Sequence, residues 1–234
     1  MGSTRTTAVV AGVFFVVAAV TAVAALALYQ PALTDAAYVL GTGEDPAVLL
    51  GGLLEVVLAA SCIGTAVTLY PVVRRYGEGM ALGYVCGRLL EAAVIVVGVV
   101  ATLSLVTLRT AGTGTDDEAL VVVARALVAV HDWTFLIGPG LVIGVNSLLL
   151  AVLLHRSRLV PRGITVLGLL GGPLVFASSV AILFGVYDQV SPWGMLGAVV
   201  VAAWEMALAY RLIVTGFRAP AEPSAGSLPV PAPA

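Results

Sequence analysis

Residues 8–29 read AVVAGVFFVVAAVTAVAALALY, a run of 22 residues without a charged side chain. A helix needs about 20 mostly apolar residues to cross roughly 30 Å of hydrocarbon, so this stretch predicts a membrane span. Of the 234 residues, 60% are hydrophobic and only 10% are charged. That composition excludes an ordinary soluble domain, a disordered chain and a nucleic-acid-binding protein.

Five further segments meet the same length and hydropathy requirement. With the first, the predicted spans are Ala8–Tyr29, Val48–Pro71, Met80–Leu108, Thr134–Leu154, Ile164–Tyr187 and Trp193–Phe217. A shorter helix, Glu118–Val130, precedes the fourth span, and the two joined would be about 55 Å long. We therefore expect a break near His131–Asp132, supported by Gly138-Pro139-Gly140, which would loosen or kink a helix. The prediction is an all-α polytopic membrane protein: a six-transmembrane-helix bundle with an extra short helix before the fourth span.

The distribution of arginine predicts the orientation. Alternate span ends are flanked by arginines, namely Arg5, Arg74, Arg75, Arg156, Arg158, Arg162 and Arg218. The other side carries acids, namely Asp35, Glu44, Asp45, Asp116, Asp117, Glu118 and Asp188. The positive-inside rule then places both termini in the cytoplasm. Residues 1–217 are predicted to form the membrane domain, and the Pro/Ala-rich residues 218–234 a disordered cytoplasmic tail.

Small residues recur every fourth position on three of the predicted spans. The glycines concerned are Gly79, Gly83 and Gly87, then Gly140 and Gly144, then Gly168 and Gly172. This spacing lets helix backbones approach closely in lipid. It predicts packing within the bundle, with a homo-oligomer through these faces as the alternative.

Ionisable side chains inside the predicted spans are the candidates for function, because each is costly in hydrocarbon unless it is paired or hydrated. One deep base, Arg88, is accompanied by four acids: Glu55, Glu91, Asp132 and Glu205. Counting 1.5 Å per residue brings the acids to overlapping depths, which predicts one shared cavity in the outer half of the bundle. Since Arg88 can neutralise only one or two of them, at least one carboxyl is expected to stay protonated and to act as a general acid or a proton-coupling group.

Structural roles stay open for the same residues. Arg88 with Glu91 could be a buried ion pair that fixes helix register, because the two share a helix face. Glu55 and Glu205 could serve helix packing only, and Asp132 could cap the span that follows it. The two histidines, His131 and His155, lie on opposite sides of the membrane, so no haem or histidine-rich metal site is expected. We predict neither a metal nor a cofactor.

A combination of short motifs resembles a known family. Residues 87–91 (GRLLE), 131–140 (HDWTFLIGPG), Asn146 and 158–162 (RLVPR) are similar to the bacterial membrane family catalogued as domain of unknown function 4386, and Trp204-Glu205 fits its last helix. The resemblance implies a six-helix protein of the bacterial cell membrane and brings no established activity. In size and isolated acids the chain also resembles small membrane-bound terpene cyclases of meroterpenoid pathways, a likeness of architecture alone.

Two classes of function follow from these residues. The first is a membrane enzyme, most concretely a terpene cyclase, in which a buried carboxyl protonates an epoxide or alkene of an apolar substrate. Glu205 or Glu91 would be the acid, Glu55 or Asp132 its partner, and Arg88 the group that separates their proton affinities. Substrate contacts are predicted for Tyr84, His131, Trp133, Phe135, Asn146, Trp204 and Tyr187.

The second class is a small proton-coupled transporter, or a non-catalytic binding or structural protein of the membrane. Pro139 could break a helix at a binding site. An apolar pocket lined by the acids favours an enzyme, whereas a hydrated path toward both faces favours a carrier. In either class the partners are the lipid bilayer and an apolar small molecule.

Overall fold

The computed structural model describes residues 2–35, 37–111 and 116–218. The helices are α1 (Gly2–Thr34), α2 (Pro46–Val73), α3 (Glu78–Ala111), α4 (Asp117–Leu136), α5 (Ile143–Ser157), α6 (Arg162–Leu183) and α7 (Pro192–Val214). A π-helical turn, Ile137–Val142, joins α4 to α5, so that residues 117–157 form one continuous rod. Within the described ranges this makes six helices long and apolar enough to cross a membrane. The predicted six-helix membrane bundle is confirmed.

The fourth span differs from the prediction in one respect. The break expected at His131–Asp132 is wrong, because α4 continues through both residues to Leu136. The irregularity lies at Ile137–Val142 instead, where Pro139 lacks the N–H that an α-helical turn would use. The rod of 41 residues is about 60 Å long, so the first part of α4 extends past the hydrocarbon beside the end of α3.

Helix starts follow recognisable sequence signals. Asp45 caps α2, its carboxylate accepting from the backbone N–H groups of Ala47 and Val48, and Pro46 occupies the first turn. Ser191 caps α7 in the same way through the N–H of Gly194. These caps satisfy N–H groups that have no partner within the helix.

The helices pack in a ring. Neighbouring pairs are α1–α2, α2–α3, α3 with the α4–α5 rod, α5–α6, α6–α7 and α7–α1. Arg5 closes the ring by donating to the carbonyl oxygens of Leu212, Ile213 and Val214 at the end of α7. The first and last spans therefore lie side by side.

Glycines bring α5 and α6 into close contact, as the four-residue spacing predicted. A Cβ on Gly144 would lie 2.9 Å from the carbonyl oxygen of Gly172, and a Cβ on Gly172 would lie 2.7 Å from that of Gly144. Only backbone without side chains fits at this crossing. These glycines act within the bundle, as expected.

Three apolar cores stand along the bundle axis. The first includes Tyr84, Leu153, Trp204 and Leu208 and lies toward the end that carries Arg5 and Arg74, here called the arginine end. The second includes Tyr29, Tyr38, Val48 and Leu105 and lies toward the end that carries Asp35 and Asp45, here called the acidic end. The third lies between them and includes Leu58, Cys62, Ile95 and Val99. From residue 219 onward, the predicted tail falls outside the residues that the structure describes.

The loop between α1 and α2 is tied to α3 at the acidic end. The guanidinium of Arg109 lies 4.7 Å from the centroid of the Tyr38 ring, and Nη1 donates to the carbonyl oxygen of Tyr38 at 2.8 Å. The Tyr38 hydroxyl donates to Asp45 Oδ2 at 3.2 Å. Burial, followed by the nearby Asp45 carboxylate, raises the pKa of Tyr38 to about 12. The loop is thus attached to α3 through Tyr38, Gly43 and Arg109.

Candidate functional site

A cavity of about 140 Å³ lies among the spans, level with the central apolar core. Its ionisable lining comes from four helices: Glu55 of α2, Arg88 and Glu91 of α3, His131 of α4 and Glu205 of α7. The rest of the lining is mostly apolar, with Ala18, Ala19, Ala22, Leu58, Cys62, Ile95, Gly98, Thr134, Phe135, Pro139 and Ile143. Three of the four predicted acids therefore meet in one cavity.

Arg88 is the centre of the charged group. Its Nη1 lies 3.2 Å from Glu91 Oε2 on the same helix, and its Nη2 lies 2.6 Å from Glu205 Oε1 on α7. The side chains of Arg88 and Glu91 are 5% and 3% exposed. Charge-assisted hydrogen bonds of this kind are about twice as strong as neutral ones, and one guanidinium here bridges two carboxylates. The predicted pairing of Arg88 is present, with both an intrahelical and an interhelical acid.

The remaining contacts of Arg88 fix its position. Its Nε donates to the hydroxyl of Tyr84 at 3.4 Å, and that hydroxyl donates to Thr65 Oγ1. The Phe15 and Tyr84 rings each lie 5.7 Å from the guanidinium carbon. Tyr84, predicted to contact substrate, is fully buried and supports Arg88 from the arginine end. The guanidinium is therefore held from several sides.

Asn146 and Arg88 both donate to Oε2 of the Glu91 carboxylate. Nδ2 of Asn146 donates to this oxygen at 2.8 Å, across the interface between α5 and α3. The contact depends on Gly87, because a Cβ there would overlap Oδ1 of Asn146. The GRLLE motif thus combines a gap for Asn146, a base and an acid in five positions.

A second group of polar side chains lies nearer the acidic end of the cavity. Glu55 and His131 both line this part of the cavity, and the His131 ring lies edge-on to Tyr29 at 6.0 Å and is stacked on Phe135 at 6.2 Å. Of the ion pairs between described residues, none includes Glu55. Glu55 is therefore the cavity acid whose charge no arginine offsets.

Several predicted site residues lie elsewhere. The prediction that Asp132 shares the cavity is wrong: its side chain is 65% exposed and lines a separate surface pocket with Asp35 and Arg125. Residues 131 and 132 are about 100° apart around a helix, so only His131 turns inward.

Besides Tyr84 and Asn146, which contact Arg88 and Glu91 from outside the lining, three further residues predicted to contact substrate are absent from the cavity lining. Trp133 is 52% exposed, and Trp204 is buried in the core toward the arginine end, against Gly168. Tyr187 lies beyond α6, where its hydroxyl donates to Ser178 Oγ at 3.0 Å. Phe135 is the predicted aromatic that the structure brings to the cavity.

Two residues at the site had no distinguishing sequence signal. Tyr29 is completely buried next to His131, and its hydroxyl has no hydrogen-bond partner within the described structure. Cys62 lines the cavity and its Sγ accepts from Arg88 Nη1 at 3.8 Å. Each lies in an apolar run, where the sequence does not say which face turns inward. Among the described residues there is no group of three or more metal-ligating side chains.

The cavity combines acids of two kinds in an apolar setting. Glu91 and Glu205 are both ion-paired with Arg88, whereas Glu55 takes part in no ion pair between described residues. Carboxyls whose environments differ in this way can divide the roles of acid and base between them.

One comparison with known proteins gives a match. A family model described as "Domain of unknown function (DUF4386)" matches residues 10–216. No curated protein and no solved structure matches the chain.

Proposed function

The chain belongs to the family of the domain of unknown function DUF4386, and from the geometry of its cavity we propose that it is a membrane enzyme for acid–base chemistry on an apolar substrate. The most concrete form of this function is a terpene or meroterpenoid cyclase that protonates an epoxide or alkene. The observation that carries the proposal is the meeting of Glu55, Glu91 and Glu205 around one arginine in a single apolar cavity.

The charge of the cavity suits a cationic reaction. Three acids and one arginine leave an excess of negative charge when the acids are ionised. Fixed charge in a site without bulk water stabilises opposite charge that develops in a transition state. The face of Phe135 adds about 0.5–2 kcal/mol for a cation placed over it. A carbocation would thus be stabilised where it forms.

The ion pairs divide the roles among the acids. Glu55, which has no arginine partner, donates its proton to the epoxide oxygen, and the C–O bond breaks. The π electrons of a neighbouring alkene then form the ring bond and move the positive charge along the chain. Glu205, the more exposed of the two paired carboxylates at 14%, removes the final proton. Product and substrate are isomers, so the reaction consumes no co-reactant.

The size of the cavity limits what it encloses. A volume of about 140 Å³ is close to the ~150 Å³ of an apolar cavity that holds benzene. Only the reacting end of an isoprenoid would fit, and its tail would leave toward lipid. Ala18, Ala19 and Ala22 of α1 line the cavity together with residues of α4, and α1 and α4 are not among the extensively packed helix pairs of the described bundle. We place the exit of the tail between these two helices.

The packing on either side of the cavity favours an enzyme over a carrier. Toward the arginine end, the fully buried Trp204, Leu208 and Leu212 fill the bundle below Arg88. Toward the acidic end, Tyr29, Val48 and Leu105 form another apolar core. A carrier would need a polar path through both of these cores.

The test uses purified protein in lipid nanodiscs and two probes, a farnesylated phenol with a terminal epoxide and the same compound without it. We expect an isomer of the epoxide with unchanged mass and altered chromatographic retention. Glu55→Gln and Glu205→Gln should each abolish its formation while preserving the fold, because an amide cannot donate or accept the proton in the same way. Glu118→Gln, a change of an exposed acid of α4, is the matched control.

Unchanged turnover in both glutamine variants would contradict the assignment of the acids. If neither probe reacts and the protein instead moves protons across vesicle membranes in a Glu55-dependent manner, the cyclase proposal is wrong and the carrier replaces it.

A further inference from the structure

Two pockets of the molecule meet at neighbouring residues of α4. His131 lines the interior cavity, whereas Asp132 lines a surface pocket together with Thr34, Asp35, Tyr38 and Arg125. The two side chains are joined, since His131 Nδ1 lies 3.4 Å from Asp132 Oδ1. This is a polar connection past the apolar core that otherwise closes the acidic end.

The position of Asp132 gives it access to water. It precedes His155, which lies at the arginine end of the same rod, by 23 positions, or about 35 Å along the helix. The hydrocarbon core is only about 30 Å thick, so Asp132 lies at or beyond its boundary. Its 65% exposure and the charged neighbours Asp35 and Arg125 are consistent with an aqueous position.

The surroundings of His131 suit the transfer of a proton through its ring. The side chain is buried, with Tyr29 of α1 at its edge, Phe135 on its face and Gly98 of α3 beside Cδ2. The ionisable groups around it are Tyr29 of α1 and Asp132 of α4, which it contacts, and Glu55 of α2, which lines the same cavity. Asp132 is exposed and Glu55 lines the cavity, and the imidazole contacts the first and shares the cavity with the second. An imidazole accepts a proton at one nitrogen and releases one from the other.

We propose that Asp132 and His131 form a proton relay that connects Glu55 to the water at the acidic end of the bundle. A proton taken up by the Asp132 carboxylate passes to Nδ1 of His131, and the imidazolium formed releases its Nε2 proton to the Glu55 carboxylate. Asp132 returns to its carboxylate form at the first step, and the imidazole becomes neutral again at the second. This inference rests on the proposed role of Glu55 as the acid, and it assigns Asp132 a function outside the cavity.

The relay is tested without substrate, by the exchange of the carboxyl proton of Glu55 for deuterium. Protein in nanodiscs is held on an infrared reflection crystal, and the buffer is switched from H₂O to D₂O. The C=O stretching band of a protonated carboxyl moves to lower frequency on exchange, and its loss in Glu55→Gln assigns it. We expect exchange to slow at least tenfold in both His131→Phe and Asp132→Asn, and to keep its wild-type rate in Glu118→Gln.

Asp132→Asn keeps the test decisive if His131→Phe fails to fold, because Asp132 is exposed. Wild-type exchange in Asp132→Asn, or the absence of any Glu55-dependent band, would overturn the relay. The cyclase proposal fails separately: slow exchange in the two variants together with no turnover of the isoprenoid probes leaves the relay in place and removes only the enzyme.

Discussion

Arg88 and Glu205 are 117 positions apart in the chain, yet Nη2 of the first lies 2.6 Å from Oε1 of the second. Glu91 occupies the other side of the same guanidinium. The arginine is therefore the structural link between α3 and α7 at the level of the cavity, and its removal leaves two buried carboxyls without a cation.

Arg88→Met is expected to destabilise the fold by ~3–5 kcal/mol, the usual cost of breaking a buried pair by removing one partner. The melting temperature in detergent measures this, and Arg75→Met, a change of an exposed arginine, should leave it unaltered. Adding Glu91→Gln and Glu205→Gln to Arg88→Met should recover part of the loss. An unchanged melting temperature in Arg88→Met alone would show that the ion pairs contribute nothing to stability.

Gly87→Ala is expected to disturb the site through Asn146. The new Cβ would overlap the Asn146 side chain, which must then move from Glu91. Overpacking of this kind costs about 1–3 kcal/mol. Gly83→Ala, one turn earlier on the same helix, is the matched control, because its Cβ would make an ordinary contact with Leu149 at 3.5 Å. Equal thermal stability of the two variants would contradict the role assigned to Gly87.

Glu55 is expected to react with dicyclohexylcarbodiimide, an apolar reagent that modifies protonated carboxyls. Glu91 and Glu205 are expected not to react, because each is ion-paired with Arg88 and the guanidinium occupies the carboxyl oxygens that the reagent would attack. Mass spectrometry of the labelled protein locates the adduct, and Glu55→Gln should remove it. Labelling of Glu205 in preference to Glu55 would reverse the roles given to the two acids.

The loop at the acidic end is expected to loosen in strong alkali. The pKa of Tyr38 is raised from 10.0 to about 12, so the fold favours the protonated phenol. This contribution to stability is complete below pH 10 and is lost as the pH rises through about 12. Melting temperatures measured from pH 9 upward should fall more steeply for the wild type than for Tyr38→Phe. Parallel curves would show that Tyr38 does not couple the loop to pH.

The orientation of the chain stays a prediction, and single cysteines test it. In a background without Cys62 and Cys86, Glu78→Cys should react with a membrane-impermeant maleimide only from the cytoplasmic side. Glu44→Cys, which lies just before α2 at the acidic end of the bundle, should react only from outside. The reverse pattern would invert the topology that the arginines predict.

The depth of a side chain in the membrane could be predicted from the sequence, whereas the face of the helix from which it projects could not. Counting residues placed Glu55, Glu91 and Glu205 at a common level, because the rise per residue of a helix is fixed. Asp132 has the same depth as His131 and yet turns outward. The hydrophobic pattern could not show which of the two side chains points into the bundle, because a membrane helix is apolar on its lipid face as well as its inner face.

The position of the helix irregularity illustrates the same limit. Gly138-Pro139-Gly140 lies within the observed π-helical turn. The sequence argument instead places a break at His131–Asp132, because the joined helix is longer than the membrane is thick. The 41-residue rod is longer than the hydrocarbon is thick, and its first part, in α4, extends past the hydrocarbon beside α3. Length alone does not end a helix when a neighbour packs along it.

The ring that α7 closes against α1 also sets an order of events during biosynthesis. Arg88 enters the membrane well before Glu205 has been translated, and at roughly 5–20 residues per second the ribosome needs about 6–23 s to add the 117 residues between them. During that time Arg88 has Glu91 but not its second carboxylate, and the terminal carbonyl groups that Arg5 binds do not yet exist. In a chain truncated before its last span, Nη2 of Arg88 would lack the hydrogen-bond acceptor that Glu205 supplies.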